Sequence, residues 1–433
     1  MHENRSTEQI DVVIVGAGLI GATLALALSG THKKVLMVDA GPGLEKVNEP
    51  ANLGPLENFD LRVSALTAAS QHLFQGLGVW QEMVGKRVCP FRHMTVWDAE
   101  GTGRIEFDAQ EVHQRALGHI VENSVIQEAL LNRLLASRNV EIRFNSAVRA
   151  LEKTDQGYRV KLQQEGAARG NSGSMETVES SLVVGADGAE SMVRKLTGIP
   201  TREWDYQHHA LVATVKTERS HRFVARQRFL DSGPLAFLPL QNGPEDGEHY
   251  CSIVWSMVPD MADRIMSLEK ADFCKSLAEH FEYELGQIEA VSRRVVFPLR
   301  QRHAKYYVKP GIALVGDAAH TIHPLAGQGA NIGLLDVAVL ADELLKATDL
   351  GIPLGNEVVL KRYQRRRLGP NLAMMGAMEG FKRLFAQDDI GVRWARNAGM
   401  NWLNRLPFVK NEIISQAMGL NIRVPGGARQ KRG

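Results

Sequence analysis

The sequence predicts an α/β fold, α+β overall: a parallel-sheet domain interrupted by a mostly antiparallel β-sheet and followed by C-terminal helices. Three observations carry this. Residues 10–39 read as strand, glycine-rich turn, helix and strand. Two further apolar strands, far down the chain, each end in a Gly/Asp turn, "VVGADG" and "LVGDAAH". Between 204 and 300 the pattern changes to successive short strands with turn signals between them.

The first unit can be justified residue by residue. Residues 10–15 are a β-branched apolar run, as a strand covered on both faces requires. Gly16-Ala17-Gly18-Leu19-Ile20-Gly21 has the spacing G-x-G-x-x-G. Gly16 permits the tight turn, Gly18 lets the backbone approach a pyrophosphate, and Gly21 lets the helix pack closely on the strand. The helix runs to about Ser29, and its N-terminal amides and dipole favour phosphate. The strand "KVLMVD" ends at Asp39, 18 residues beyond Gly21, where a carboxylate accepts from a ribose hydroxyl. The stretch 12–30 is apolar enough to resemble a membrane span, but its three glycines and the lack of a basic leader or cleavage pattern read as this nucleotide unit. The motif predicts a dinucleotide site and does not choose between NAD and FAD.

Composition bounds the function classes. The 433 residues are 44% hydrophobic and 23% charged, with a net charge of +2, as in an ordinary globular protein. That balance argues against nucleic acid as the main partner. Cys89, Cys251 and Cys274 are scattered without CxxC spacing, which argues against a disulfide framework and for a reducing compartment.

G-x-G-x-x-G at 16–21, "GADG" at 185–188 and "GDAAH…P…GQG.N" at 316–331 together resemble the single-component FAD-dependent aromatic hydroxylases, over roughly residues 10–370. "LRVSALTAAS", "LGHIVENSVIQEAL", "AFLPL" and "ALVGDAAHTIHPLAGQG" resemble the ubiquinone-biosynthesis hydroxylases within that family. "WDYQHHALVATV" and "QAMGLN" look most like the branch that hydroxylates a 2-polyprenylphenol at ring carbon 5, with a sister branch acting on a demethoxy-quinol.

The resemblance implies a Rossmann-like FAD-binding domain in three parts, 1–89, 121–203 and 301–368. It implies substrate-domain strands at 90–120, a β-sheet substrate domain at 204–300 and a C-terminal helical region at 369–433. Carried over by position, Gly16, Gly18 and Gly21 meet the pyrophosphate and Asp39 the adenosine ribose, where many relatives carry the longer Glu. Arg62 is a cofactor-proximal arginine. Asn123 stands where many relatives carry Arg or Gln, and Val148 gives an adenine backbone contact. Asp187 supports both cofactor and turn, and Asp317 accepts from a ribityl hydroxyl. Pro324 shapes the loop beside the ring, and the amides of Gly327, Gln328, Gly329, Ala330 and Asn331 face the pyrophosphate and the flavin pyrimidine edge.

The resemblance also implies the chemistry: NAD(P)H reduces FAD, dioxygen adds at flavin C4a, and the resulting hydroperoxide hydroxylates the ring of a polyprenylated phenol. No second G-x-G-x-x-G unit and no CxxxxC pair follow, so NAD(P)H is a transient visitor. A dehydrogenase or oxidase, or a non-catalytic prenyl-binding protein on the same fold, are the alternatives. No catalytic side chain is assigned. The expected location is cytoplasmic. Peripheral contact with the inner membrane face, contact with other ubiquinone-biosynthesis proteins and the oligomeric state are left open.

Other constellations fare worse. Asp317, His320 and His323 fall within seven positions, but zinc needs more ligands and second-shell support, so no metal is expected. No G-x-S-x-G elbow supports a Ser-His-Asp triad. His320 and His323 read as loop histidines bonded to backbone, with a place for His323 near the flavin left open. His208 and His209 face opposite sides of a strand, so at most one enters a pocket. "KRYQRRR" at 361–367 reads as a solvated helix face, and 164–178 as a polar hairpin tip. Trp394, Ala398, Trp402 and Leu406 recur four apart, either as a packed helix stripe or as an interfacial helix, and "GGARQKRG" reads as a disordered tail.

Overall fold

The computed structural model describes residues 8–43, 56–99, 101, 103–164, 174–241, 247–321, 329–385, 411 and 418. Trp394, Ala398, Trp402, Leu406 and the terminal tail lie outside them, as do the tip of the 164–178 hairpin, His323, Pro324, Gly327 and Gln328.

An eight-stranded sheet forms the first layer. Its parallel heart places Glu8–Val15 between Met175–Gly185 and Val35–Val38, with Ile312–Leu314 and Val140–Arg143 outside them. Val12, Val13 and Ile14 are fully buried, which explains the unbroken apolar run: helices Leu19–Leu28, Asn123–Leu135 and Gly329–Asp349 pack with these strands into one core. Gly157–Gln164 pairs antiparallel with Met175–Gly185, and Ser146–Thr154 pairs antiparallel with Gly157–Gln164. The apolar stretch 12–30 is thus strand, turn and helix inside this core. No helix among the described residues is long and apolar enough to cross a membrane.

The second layer is a nine-stranded, mostly antiparallel sheet. It is built from Thr201–Thr217, Val224–Leu230, Gly233–Leu240, Tyr250–Met257, Ile288–Val291 and Val295–Ala304, joined by His93–Asp98, Arg104–Asp108 and His320–Thr321. Alternation divides its two faces. Leu211, Ala213, Leu235, Phe237, Ile253 and Trp255 turn toward helices Pro259–Ser267 and Lys270–His280. Ala225 and Leu238 join a separate apolar cluster with Ala65, Phe91, Ile120 and Met418.

That cluster belongs to a feature the sequence does not predict. Val63–Leu66, Val88–Phe91 and Gly118–Glu122 form a third, three-stranded antiparallel sheet. The expected strand segment 90–120 therefore divides: His93–Asp98 and Arg104–Asp108 enter the large sheet, while its flanks enter the small one. The chain turns at Arg92, whose amide donates to Phe223 O. His320–Thr321 pairs with Arg302 and His303, so the end of the "GDAAH" segment is stitched to the large sheet.

Candidate active site

Three strand ends meet at the glycine-rich turn. Gly16 has φ +107°, and a Cβ on it would lie 2.4 Å from Ala186 O; one on Gly21 would lie 1.9 Å from Gly16 O. Neither position can carry a side chain, because backbone presses on backbone. Gly18 differs: a Cβ there would meet nothing within 4 Å. Its bare backbone faces open space where the Leu19–Leu28 helix begins, with no side chain capping that end. The uncapped amides and the helix dipole make an anion cradle, so the diphosphate of an FAD fits these residues. At the end of the second strand, Asp39 Oδ2 accepts from Ala17 N (2.6 Å) and Oδ1 from Gly41 N (2.7 Å), which fixes the carboxylate beside the turn. Ser146 N donates to Asp39 O, so buried Val148 sits two residues from this corner.

Arg62 and Asn123 lie side by side: Asn123 N donates to Arg62 O (2.9 Å), and Ser64 Oγ donates to Asn123 Oδ1 (2.7 Å). The Arg62 segment is held from below. Asp60 accepts from the amides of Arg62 and Ser124, and buried Glu122 accepts from Asp60 N and Arg87. Burial pushes the Glu122 carboxyl up to about 7, against the pull of Arg87 and the Asp60 amide. The Arg62 side chain itself is exposed.

At the second strand end, Asp187 Oδ1 accepts from Ser191 Oγ (2.5 Å), and Oδ2 accepts from the amides of Met192 (2.6 Å) and Val193 (3.1 Å). These bonds account for the turn half of its expected role. Buried Arg194 then donates to Ala189 O and Ala318 O, tying the "GADG" end to the "GDAAH" end. Asp317 stands in the short turn Gly316–Ala318 with its side chain open to solvent. Desolvation by the surrounding wall raises its carboxyl pKa, with His320 and Arg62 pulling it back.

Gly329 and Ala330 open the Gly329–Asp349 helix, and a Cβ on Gly329 would meet nothing within 4 Å. Asn331 is different. Its Oδ1 accepts from Thr67 N (3.0 Å) and Ser70 Oγ (2.7 Å), and its Nδ2 donates to Ala65 O (2.7 Å). Its side chain thus pins this helix to the strand Val63–Leu66, and only its backbone is left to face a cofactor.

The reading of His320 as a backbone-bonded loop histidine is corrected. It is 2% exposed and bonds through Nε2 to the carboxylate of Asp336, which is fully buried. Asp336 also accepts from Gly316 N, Arg367 Nε and Asn371 Nδ2, and Asn371 reaches Tyr307 OH, which in turn meets His303. Burial would raise the Asp336 carboxyl, but His320 and Arg367 pull it down to about 2. The basic run 361–367 is likewise not a uniformly solvated face. Arg367 is buried in this network, Arg366 pairs with Asp342 and Glu343, and Lys361 pairs with Glu357. A signal for it exists: Tyr363, Arg367, Asn371 and Met375 are spaced four apart, all buried on one helix face. The strand register slips between Asp205 and His208 and then runs unbroken through both histidines, which border one groove with Arg300.

Above the third sheet lies an apolar cavity lined by Ala65, Phe91, Met94, Ile120, Ala236 and Leu238 among others. It lies between the three-stranded and the nine-stranded sheets and touches the residue whose carbonyl Asn331 holds.

Known proteins match this chain along its length. The FAD binding domain family matches residues 9–370. The chain is 36% identical to the 3-demethoxyubiquinol 3-hydroxylase of Escherichia coli, over 96% of this chain and 100% of that protein. It is 34% identical to the ubiquinone biosynthesis monooxygenase COQ6 of Xenopus tropicalis, over 94% of this chain and 93% of the relative. Among solved structures, p-nitrophenol 4-monooxygenase PnpA of Pseudomonas putida superposes with a TM-score of 0.73 at 18% identity, covering 96% of this chain and 99% of that one. The strand-end cradle thus sits in a chain that belongs to the FAD binding domain family, among its ubiquinone-biosynthesis hydroxylases, and that is an FAD-dependent aromatic-ring monooxygenase.

Proposed function

We propose that the protein hydroxylates the aromatic ring of a polyprenylated phenol, at carbon 5 of a 2-polyprenylphenol, during ubiquinone biosynthesis. The observation that supports it best is the apolar cavity reaching Ala65, directly beside the helix start that backs the cofactor cradle. The cavity must widen to admit a ring, which would then lie among mostly alkyl and aromatic side chains with Arg226 and Gln227 at one wall, a setting that suits a prenylated phenol and keeps water away from the reacting edge.

The chain's own residues divide the work. The bare backbone at Gly16, Gly18 and Gly21, with the amides after Gly18, holds the diphosphate. Asp39 accepts from the ribose, and the backbone at Val148 borders the adenine. Arg62, Asn123 and Asp317 line the middle of the cofactor, with Asp187 shaping the neighbouring turn. The backbone of Gly329, Ala330 and Asn331 would border the flavin, and the same role is proposed for Pro324, Gly327 and Gln328, which lie outside the described residues. FAD supplies the oxygen-activating chemistry when bound. The protein contributes position and a dry pocket.

A second reading, hydroxylation of a demethoxy-quinol, is supported by the 36% identity to the Escherichia coli 3-demethoxyubiquinol 3-hydroxylase. Cells lacking the protein separate the two. Accumulation of a 2-polyprenylphenol without the carbon-5 hydroxyl supports the first, and accumulation of the demethoxy-quinol supports the second. An unchanged quinone pool removes both. We further propose a cytoplasmic protein that meets the membrane surface peripherally, where a polyprenyl substrate resides.

A further inference from the structure

We propose that Gln227 selects the substrate ring, its side-chain amide hydrogen-bonding an oxygen substituent on that ring. The inference rests on the reading that the apolar cavity takes the ring.

Gln227 lies in the strand Val224–Leu230, in register with Ala236 of the neighbouring strand, and both line the cavity. It is 6% exposed. Among the described residues its amide makes no hydrogen bond, and the amide is not sealed off, being absent from the fully buried side-chain atoms that lack a partner. The residues around it in "ARQRF" sharpen the point. Strand alternation sends Arg226 and Arg228 to the opposite face. There Arg226 donates to His221 O and Val224 O, and Arg228 donates to His280 O and bonds Glu282. Both cations are engaged by the protein, Arg226 although it too borders the cavity, and the neutral amide is the polar group left for a ligand.

A polar amide that borders a largely apolar cavity and makes no bond to the protein is free to bond whatever enters that cavity. A ligand oxygen is such a partner. The amide offers two N–H donors and a carbonyl acceptor. A phenol matches it twice, donating its O–H and accepting an N–H, whereas an aryl methyl ether can only accept. The same chemistry orients the ring: with the oxygen held at the Gln227 end, one ring edge is turned toward Ala65 and the cofactor side. Met94, unbranched and with three rotatable bonds, is the wall most able to yield to an entering ring. Gln227 is therefore assigned as a specificity-determining residue, beyond the residues that bind FAD.

The test measures binding without turnover. Full-length holoenzyme, with no NAD(P)H present, is titrated with a short-chain 2-prenylphenol and with its methyl ether, and the perturbation of flavin absorbance is followed. Wild type is expected to bind the phenol about five- to tenfold more tightly than the ether, as befits one net hydrogen bond. Gln227→Leu is expected to bind the two within about twofold, with FAD content and Tm unchanged. Gln227→Met, closer in shape, gives the same comparison should the Leu variant fold poorly. A preference for the phenol that survives in these variants, or equal binding of the two ligands by wild type, overturns the role of Gln227 alone. Failure of wild type to bind either ligand overturns the assignment of the cavity to the ring, and with it this inference.

Discussion

Asp336 and His320 share a buried hydrogen bond that closes the loop carrying Asp317. The same carboxylate oxygen of Asp336 accepts from Gly316 N at 3.1 Å. Asp317 therefore lies between two residues held by one acceptor, and its position follows from a helix residue 19 places further on. The other oxygen accepts from Arg367 Nε (2.8 Å) and Asn371 Nδ2 (3.1 Å), so helix Glu357–Phe385 is tied to the same point.

Removing that acceptor leaves Gly316 N and His320 Nε2 without it and the buried Arg367 guanidinium without a counter-charge. Asp336→Ala is expected to lower stability by about 3–5 kcal/mol, the cost of orphaning a buried charge, and urea denaturation measures it. His320→Leu removes one side of the bracket and leaves the Arg367 pair intact. It is expected to weaken FAD binding by about tenfold, read by flavin fluorescence, with a smaller loss of stability, since one hydrogen bond to a charged group is lost. Wild-type affinity in this variant would detach the bracket from the cofactor.

The titrating groups of the network give a pH dependence with a defined sign. Burial, then His320, lowers His303 to about 4, and burial lowers His119 to about 4. The unfolded chain protonates both near 6.5, so their contribution is present in full above that pH and is lost as pH falls from 6.5 to 4. Asp336, held at about 2, contributes above its unfolded value and loses that contribution as pH falls from about 4 through 2. Glu122, raised to about 7, gains stability as pH falls from 7 to 4.5 and offsets one of the two histidines, so stability should decline in two stages on acidification, the first with a net slope of about one proton. His303→Gln is expected to flatten the first stage by about one proton, ~1.4 kcal/mol per pH unit, in urea unfolding at pH 4.5–6.5. An unaltered slope would show that His303 is not held neutral by the fold.

The three glycines of the first turn should not respond alike. Gly21→Ala places a Cβ against Gly16 O and is expected to disrupt the turn, with loss of soluble folded protein. Gly18→Ala meets only open space, so the apo protein should keep its Tm to within about 2 °C while FAD affinity falls at least tenfold. Equal tolerance of FAD binding to Ala at both positions would remove the assignment of Gly18 to the diphosphate.

What could be read from the chain divides along sequence distance. The strand–turn–helix–strand unit at its start is local, and its periodicities switch where the structure switches. The successive strands between 204 and 300 are likewise marked locally, by the turn signals between them. The three-stranded sheet escapes because Val63–Leu66, Val88–Phe91 and Gly118–Glu122 are short and pair across intervening elements. The Asp336 network escapes for a similar reason: residues 316, 320, 336, 367 and 371 meet only in three dimensions. In 361–367 a run of like charges drew attention to composition, while the helical period of four had already turned Arg367 inward. Asn331 shows the converse. Its place in a glycine-rich motif suggested ligand contact, yet its amide is spent on Ala65, Thr67 and Ser70.

The central claim is that this fold inserts an oxygen atom from dioxygen into a prenylated aromatic ring. Purified protein reconstituted with FAD, given NADH or NADPH, a 2-polyprenylphenol and isotopically labelled dioxygen, tests it directly by mass spectrometry of the product. One labelled oxygen atom on the ring is the predicted result. Consumption of NAD(P)H with labelled hydrogen peroxide and no labelled ring product would contradict it.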